Sequence, residues 1–230
     1  MGLFLKKGDR GLLVGQTGSG KTQNALYQLR NPVSYPVIIF DTKIEDAFFD
    51  LRTEFDSLDV VEGLPNLQRY AKQPVKDQAD YIIVRPTIVE SQDFDALSDY
   101  ATLVYNQFGK CFIYFDELYN WHNQNRPTNG MIGLYTRGRS KGKTVLGATQ
   151  RPSWISRFCL TECQKFYIHD LIDKKDKQRL ADIIPDYMEA KPLKKYHFHF
   201  YETGEPGVIT FSPVEIVKHD ISKVFTQKWI

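Results

Sequence analysis

Short apolar runs of four to seven residues recur along the chain, and longer segments with helical periodicity separate them. Buried strands of a parallel sheet have this continuous apolar character, because helices cover both faces of such a sheet. Strands that alternate with helices predict an α/β fold with a mostly parallel sheet flanked by helices. We assign strands to residues 11–14, 36–40, 81–84, 111–115, 144–148 and 165–169.

Two helices have recognisable ends. Over residues 91–109 the apolar residues of one helical face are Leu97, Tyr100, Ala101, Val104 and Phe108. Ser91 is the candidate N-cap of this helix, and Gly109 is the candidate end. A second helix is predicted to begin after Asp173 and to end before Pro185.

Strict alternation returns near the C-terminus, over residues 195–201. Tyr196, Phe198 and Phe200 share one face of this predicted strand. A turn at 203–207 leads to a further strand at 208–211, so we predict a C-terminal antiparallel hairpin. No repeat or linker interrupts the chain. We therefore expect a single domain over residues 1–230, with a core at about 10–185 and a C-terminal extension at about 186–230.

Composition limits the possible partners and compartments. The chain has 230 residues and a formal net charge of only +2, so contact with nucleic acid must come from local basic loops. Its 3 cysteines are too few for a disulfide framework, which favours a reducing compartment. No apolar run approaches the ~20 residues that span a bilayer. The charges of the N-terminal segment follow its apolar residues, the reverse of the order in a signal peptide.

The segment between the first predicted strand and the next helix fits the phosphate-binding pattern G-x-x-x-x-G-K-[ST]. Its residues are Gly15, Gln16, Thr17, Gly18, Ser19, Gly20, Lys21 and Thr22. Glycines let the backbone bend so that successive N–H groups point at phosphates, and the helix that follows presents its positive end. We expect Lys21 to contact the β- and γ-phosphates and Thr22 to offer its hydroxyl to Mg²⁺. The order of strand, loop and helix therefore predicts binding of ATP with Mg²⁺.

Two adjacent carboxylates, Asp116 and Glu117, follow the strand at 111–115. Sheets of this class place ligands at the C-terminal ends of their strands. We predict that Asp116 anchors Mg²⁺, directly or through water, and that Glu117 activates the water that attacks the γ-phosphate. Gln150 follows the next predicted strand and is expected to bond that water or the phosphate. The alternatives are an ordinary acidic turn and a satisfied polar strand end.

The basic loop at 135–143 contains two candidates for an arginine finger, Arg137 and Arg139. The guanidinium group suits the charge of a phosphoryl-transfer transition state, and a neighbouring subunit can supply it. A finger supplied in this way would require a ring of subunits. The alternatives are a solvated basic loop and a loop that touches DNA.

Five segments together resemble FtsK/HerA-type DNA-pumping ATPases. They are Gly-Arg-Ser-Lys-Gly at 138–142, Ala-Thr-Gln-Arg-Pro at 148–152, the segments 163–169 and 173–176, and Asp-Thr-Lys at 41–43. They occur in the order of that family, over roughly residues 10–185. A bare core of this length resembles the genome-packaging ATPases of tectiviruses and related viruses with internal membranes.

This resemblance implies a P-loop NTPase fold of the RecA-like (ASCE) type and the site roles given above for each residue. It also implies a homo-oligomeric ring, expected to be a hexamer, that drives double-stranded DNA into a preformed capsid. The expected partners are DNA, without regard to its sequence, and the proteins of a capsid or membrane vertex. The expected locations are the host cytoplasm during assembly and the virion vertex. Whether Asp41 and Lys43 touch nucleotide or shape a turn is open.

The candidate DNA contacts lie in two loops. Arg126 belongs to the polar loop at 119–127, and Lys141 and Lys143 belong to the basic loop. A pump must ignore sequence, so such side chains would contact phosphate rather than bases. Ordinary surface loops are the alternative.

Three other functions compete with packaging. A plasmid-transfer or DNA-segregation translocase would use the same motor. A filament or secretion assembly ATPase would move protein, and a nucleotide-gated switch would have negligible turnover. The combination of Asp116, Glu117 and Gln150 argues against the switch, because a protein that only holds nucleotide needs no carboxylate to activate water.

Overall fold

Ten strands form one sheet in the computed structural model, which describes residues 2–51, 56–121, 127–215 and 228–229. Along the chain they are β1 (Arg10–Val14), β2 (Val37–Phe40), β3 (Leu58–Glu62), β4 (Tyr81–Arg85), β5 (Cys111–Phe115), β6 (Lys143–Thr149), β7 (Lys165–Ile168), β8 (Phe198–Glu202), β9 (Ile209–Phe211) and β10 (Lys228–Trp229). Their order across the sheet is β10-β3-β4-β2-β5-β6-β1-β7-β8-β9. All neighbouring pairs are parallel except β7–β8 and β8–β9, which are antiparallel.

Helices cover both faces of the sheet. They are α1 (Lys21–Leu29), α2 (Leu64–Ala71), α3 (Phe94–Gln107), α4 (Asn129–Ile132), α5 (Arg157–Thr161) and α6 (Lys174–Ala181). Successive side chains of a strand point to opposite faces, so Leu12 packs in the cluster under α2–α6, and Leu13 packs in the cluster with α1. In the described part of the chain, no helix is long and apolar enough to cross a bilayer.

The predicted mostly parallel sheet and the C-terminal antiparallel hairpin are confirmed. Three predicted boundaries were wrong by two or more residues. The helix expected to run up to Pro185 ends at Ala181. The helix expected after Ser91 begins at Phe94, because the Asp93 carboxylate accepts a hydrogen bond from Asp95 N at 2.8 Å and caps it. The first hairpin strand begins at Phe198, because a turn precedes it in which His197 N donates to Lys194 O at 3.0 Å.

Neither β3 nor α2 was predicted from the sequence. The strand β3 mixes polar and apolar residues and shows no continuous apolar run. Its Asp59 carboxylate accepts a hydrogen bond from Tyr70 of α2 at 2.9 Å, so the strand and the helix support each other. Contacts of this kind are tertiary, and local propensity does not reveal them.

The parallel arrangement brings the C-terminal ends of β1, β2, β5, β6 and β7 to one edge of the sheet, here called the carboxyl edge. Because β8 is antiparallel to β7, its N-terminal end lies at the same edge. The segments that leave or enter these strand ends supply every side chain of the candidate site described next.

Candidate nucleotide-binding and hydrolysis site

The phosphate loop connects β1 to α1 as predicted, between the neighbouring strands β6 and β7. Gly18 and Gly20 adopt positive φ angles of 77° and 100°, which side chains other than glycine rarely tolerate. Gly15 is needed for close packing, since a Cβ there would lie 2.5 Å from Ser19 Oγ and 2.7 Å from His169 Cβ. The helix α1 begins at Lys21, so its amino end faces the loop.

The two predicted catalytic carboxylates are buried directly after β5, with Asp116 3% and Glu117 0% exposed. Glu117 has a φ of 54°, a left-handed conformation that is uncommon for this residue type. Its Oε1 lies 3.6 Å from the ammonium of Lys21. Backbone strain of this kind occurs where a site requires a particular side-chain position.

Gln150 connects the phosphate loop to Glu117. Its Nε2 donates to Glu117 Oε1 at 2.7 Å, and its Oε1 accepts from the Thr17 hydroxyl at 2.8 Å. The structure therefore brings together the loop, the strand end of β5 and the strand end of β6, as expected from the sequence. The contact of Gln150 with phosphate or water stays a prediction.

Lys43 is a site residue whose role was left open by sequence reasoning. Its ammonium donates to Glu117 Oε1 and lies 3.8 Å from Asp116 Oδ2. Asp41 shapes the turn that presents it, because the Asp41 carboxylate accepts from Lys43 N at 3.2 Å and is paired with Arg85 Nε at 3.0 Å. The Asp-x-Lys spacing was the only sequence signal, and it did not show that β2 lies beside β5.

The two carboxylates have opposite pKa shifts. Burial raises the pKa of Asp116 to about 6, although Lys43 and Lys21 counteract this effect. Burial would also raise the pKa of Glu117, but the charge of Lys21 and hydrogen bonds from Lys43 and Gln150 outweigh it, so this pKa is lowered. Glu117 is therefore ionised at neutral pH, as a group that accepts a proton from water must be.

The carboxylate oxygens also fit a bound Mg²⁺. Among the described residues, Asp116 Oδ2 and Glu117 Oε2 are buried and accept no hydrogen bond. A buried oxygen without a partner is explained by an ion or a water molecule, and Mg²⁺ prefers oxygen ligands. Asp116 and the hydroxyl of Thr22 at the start of α1 are the residues of this chain that would hold the ion.

His169 follows β7 and makes hydrogen bonds to the phosphate loop and to α1. It was not predicted as a site residue from the sequence. Its Nδ1 lies 3.1 Å from Ser19 O, which can only accept, so Nδ1 donates. Its Nε2 therefore accepts from the Asn24 side chain at 3.2 Å. Burial lowers the pKa of His169 to about 4, although the bond to Ser19 O counteracts this effect. The hydrogen bond that Nε2 accepts from Asn24 requires the neutral ring.

His169 makes the protein sensitive to acid. Because the pKa is lowered in the folded state, the unfolded chain binds more protons between pH 6.5 and 4, and stability falls as the pH falls. We expect protonation of this group to lower the free energy of unfolding by roughly 2 kcal/mol between pH 7 and 4.5. Urea denaturation at both pH values should show a smaller pH-dependent loss in His169→Gln than in wild type or the control His197→Gln. Equal losses in all three proteins would contradict the assignment.

Arg137 and Arg139 do not lie at the site of their own chain. Both precede β6 and are exposed at the opposite edge of the sheet, near the start of β1. Arg10 Nη2 lies 3.4 Å from Thr136 O, which fixes this placement. The length of β1 puts them roughly 17 Å from the phosphate loop. Any contact of these residues with nucleotide must therefore be made in another subunit, and that role stays a prediction.

The prediction that Lys143 contacts DNA was wrong, because its side chain is buried. Its ammonium donates to the carbonyl oxygens of Val104, Phe108 and Gly109 at 3.0, 2.5 and 2.6 Å. It thus binds the backbone at the C-terminal end of α3, where the helix leaves carbonyl groups without partners. Lys141 is exposed, with its ammonium 3.9 Å from the ring centroid of Tyr105. Arg126 lies outside the described residues.

We expect Lys143→Met to destabilise the protein strongly. Three carbonyl groups, of which those of Val104 and Phe108 are buried, would lose a charged donor. We expect a cost of ~3 kcal/mol, which corresponds to a melting temperature about 10 °C lower for a chain of this size. The matched variant Lys141→Met should melt within about 1–2 °C of wild type, because surface substitutions have small effects. Differential scanning calorimetry measures both, and equal melting temperatures would refute the structural role of Lys143.

Comparison with known proteins agrees with the ATPase chemistry that the site geometry suggests. No protein-family model matches the chain. The DNA packaging ATPase P9 of Enterobacteria phage PRD1 is 27% identical over 216 residues, which cover 90% of this chain and 87% of P9. This chain resembles a viral genome-packaging ATPase. The resemblance predicted from its motifs is therefore confirmed.

Two solved structures of genome-packaging ATPases support the fold. B204 of Sulfolobus turreted icosahedral virus 2, in complex with AMPPCP, has a TM-score of 0.67 and 18% identity, and the match covers 90% of this chain and 99% of that one. B204 of Sulfolobus turreted icosahedral virus has a TM-score of 0.68 and 17% identity, with 92% and 100% covered. At this identity the likeness shows the fold, and the predicted P-loop ATPase architecture is confirmed.

Proposed function

We propose that this chain is an ATPase that packages double-stranded DNA into a viral capsid. The observation that carries the proposal is the buried Glu117, held by Lys21, Lys43 and Gln150 beside a phosphate loop. Such an arrangement suits hydrolysis rather than mere binding of a nucleotide. The similarity to P9, a DNA packaging ATPase, supports the choice of DNA as the substrate that is moved.

The hydrolytic step follows from the positions of the side chains. Backbone N–H groups of the loop and the Lys21 ammonium hold the phosphates, and Mg²⁺ bound at Asp116 and Thr22 would neutralise phosphate charge. Glu117 accepts a proton from the attacking water through Oε2, since its Oε1 is occupied by Lys43 and Gln150. Gln150 transmits the state of the phosphate loop to Glu117 through Thr17.

We infer that the active assembly is a ring, expected to be a hexamer, in which Arg137 or Arg139 completes the site of a neighbouring subunit. The placement of both residues at the edge of the sheet opposite their own phosphate loop supports this inference. Mixing Arg137→Ala and Arg139→Ala subunits, each in turn, with Glu117→Gln subunits tests it. One of the mixtures should recover activity that its parents lack, because the Glu117→Gln subunit supplies an intact arginine to the other.

The motor is expected to act during capsid assembly in the host cytoplasm and at the virion vertex, where vertex proteins would hold the ring. Exposed basic side chains such as Lys141 would contact phosphates of the duplex, which gives binding without sequence preference. Because the contacts are ionic, the affinity for DNA should fall steeply with rising salt concentration.

Steady-state ATP hydrolysis, measured against protein concentration with and without duplex DNA of random sequence, tests the proposed function. We expect the rate per chain to rise with protein concentration and with DNA. Displacement of a triplex-forming strand from the duplex should require hydrolysable ATP. A rate that ignores both concentration and DNA would favour a protein-assembly ATPase or a switch, and displacement without ATP would exclude a motor.

A further inference from the structure

A cavity of about 510 Å³ runs along the phosphate loop. The loop and the start of α1 form one wall, from Gln16 to Gln23. Gln150, Lys43 and Glu45 line the cavity as well, and so does Tyr196. The cavity is thus long enough to reach from the catalytic side chains to the segment that enters β8.

The order of the strands shows which end of this cavity faces the γ-phosphate and which end faces the nucleoside. Gln150 follows β6 and Glu117 follows β5, so both lie on one side of β1. Tyr196 enters β8, which lies on the other side of β1, beyond β7. The γ-phosphate must lie at Glu117 and Gln150 for hydrolysis to occur. The nucleoside of a bound ATP therefore points towards the side of Tyr196.

The Tyr196 ring is placed beside the last residue of the phosphate loop. A Cβ built on Gly20 would lie 3.5 Å from Tyr196 Cδ1, so the ring lies beside the loop at Gly20. The side chain is nevertheless 46% exposed. The ammonium of Lys195 lies 4.9 Å from the ring centroid. An aromatic ring with free surface beside a phosphate loop can stack on a base.

The backbone at Tyr196 is strained in a way that presents this ring. Its φ angle is 64°, and it is the third residue of the turn closed by His197 N and Lys194 O. Glycine or asparagine is the usual residue at a turn position with positive φ. A large aromatic side chain there is a costly choice, and such outliers concentrate at ligand-binding sites.

We propose that Tyr196 is the stacking platform for the nucleotide base, and that it fixes the nucleoside end of the ATP whose phosphates lie on the loop. This inference rests on the proposed ATPase function and adds a residue for the recognition of the base. Stacking tolerates every base, because each base has a π face. The site therefore recognises that a base is present rather than which base it is.

Two further cavities compete as places for the base. One, of about 300 Å³, is lined by Gln16 and Gln150, so it opens at the end of the loop where the γ-phosphate is expected. The other, here called the second cavity, has a volume of about 260 Å³. It is lined by residues that include Asp170, Lys177, Tyr187 and His199. Of the residues that the structure describes, none of the phosphate loop lines it. A nucleotide with its phosphates on the loop can therefore extend into the cavity of Tyr196, whereas the second cavity does not reach the loop.

Isothermal titration calorimetry with two ligands tests the proposal. AMPPCP has the base and the phosphates, whereas inorganic tripolyphosphate has phosphates alone. In wild type we expect AMPPCP to bind more tightly. In Tyr196→Ala we expect an AMPPCP affinity about 5- to 100-fold lower, from the loss of base stacking, with an unchanged affinity for tripolyphosphate. Tyr196→Phe keeps the ring and should retain the affinity of wild type for both ligands.

The outcomes are distinguishable. Equal losses for both ligands in Tyr196→Ala would mean that the ring only supports the loop, and this would overturn the proposal. Unchanged binding of AMPPCP would also overturn it, because the base would then bind away from Tyr196. A wild-type protein that binds neither ligand would refute the ATPase function itself, which is a different result from either of these.

Discussion

Replacing Glu117 by Gln should lower the rate of ATP hydrolysis by about 10²–10⁴-fold, the usual contribution of a positioned general base. Nucleotide binding should persist, because the loop and Lys21, rather than Glu117, are expected to hold the phosphates. The amide retains the size of the side chain but cannot take a proton from water. Its position should also be retained, since Gln150 and Lys43 donate to the oxygen that the amide keeps.

Single-turnover hydrolysis and equilibrium binding of AMPPCP together check this expectation. The matched control is Glu62→Gln, the same chemical change at the exposed C-terminal end of β3, which should hydrolyse ATP at the wild-type rate. If Glu117→Gln retains activity within a few-fold of wild type, the general base lies elsewhere. If it loses nucleotide binding instead, Glu117 has a structural role in the loop.

Replacing Lys43 by Met should destabilise the nucleotide-free protein. Among the ion pairs of the residues that the structure describes, Lys21 would then be the one cation left beside the two buried carboxylates, Asp116 and Glu117. Removal of one partner from a buried pair is costly, but Lys43 is 33% exposed, so solvent screens part of the effect. We expect a loss of ~2 kcal/mol, seen as a melting temperature about 4–8 °C lower.

A double-mutant cycle isolates the contribution of the pair. Combining Lys43→Met with Glu117→Gln removes both the cation and the carboxylate, so the double variant should regain ~1–2 kcal/mol relative to the sum of the single effects. Chemical denaturation of the four proteins without nucleotide measures this coupling. Strict additivity would mean that Lys43 stabilises something other than the charge of Glu117.

Lys43→Met should also reduce the hydrolysis rate, by about 10- to 100-fold, because a misplaced catalytic group is costly. We expect Lys21 to turn to the phosphates when ATP binds, which would leave Lys43 and Gln150 as the donors that hold Glu117. Addition of AMPPCP with Mg²⁺ should restore most of the lost stability, since Mg²⁺ then supplies charge beside Asp116. An unchanged rate would exclude Lys43 as a positioning residue.

Several features of this protein follow from the sequence by itself. The phosphate loop, the two carboxylates after β5 and Gln150 directly after β6 are each local patterns. Strands with continuous apolar character can be predicted without knowing which strands lie beside them, because burial on both faces selects the same residue types. The hairpin was likewise predictable, since alternation and a glycine-containing turn are short-range signals.

Only the tertiary structure decided which of these segments meet. The order of strands places β2 beside β5, and this brings Lys43 to Glu117 although 74 positions separate them. Lys143 and Arg137 come from one basic loop, yet the first is buried under the end of α3 and the second is exposed. Sequence proximity could not distinguish them, because burial depends on the helix that packs over the strand.

The antiparallel direction of β8 decided the position of Tyr196. Had β8 been parallel to β7, its entry segment would lie at the opposite edge of the sheet, far from the phosphate loop. Residue types and local periodicity thus determined what chemistry the chain contains. Strand order and direction determined which groups act together, because they are set by contacts between segments that are distant in sequence.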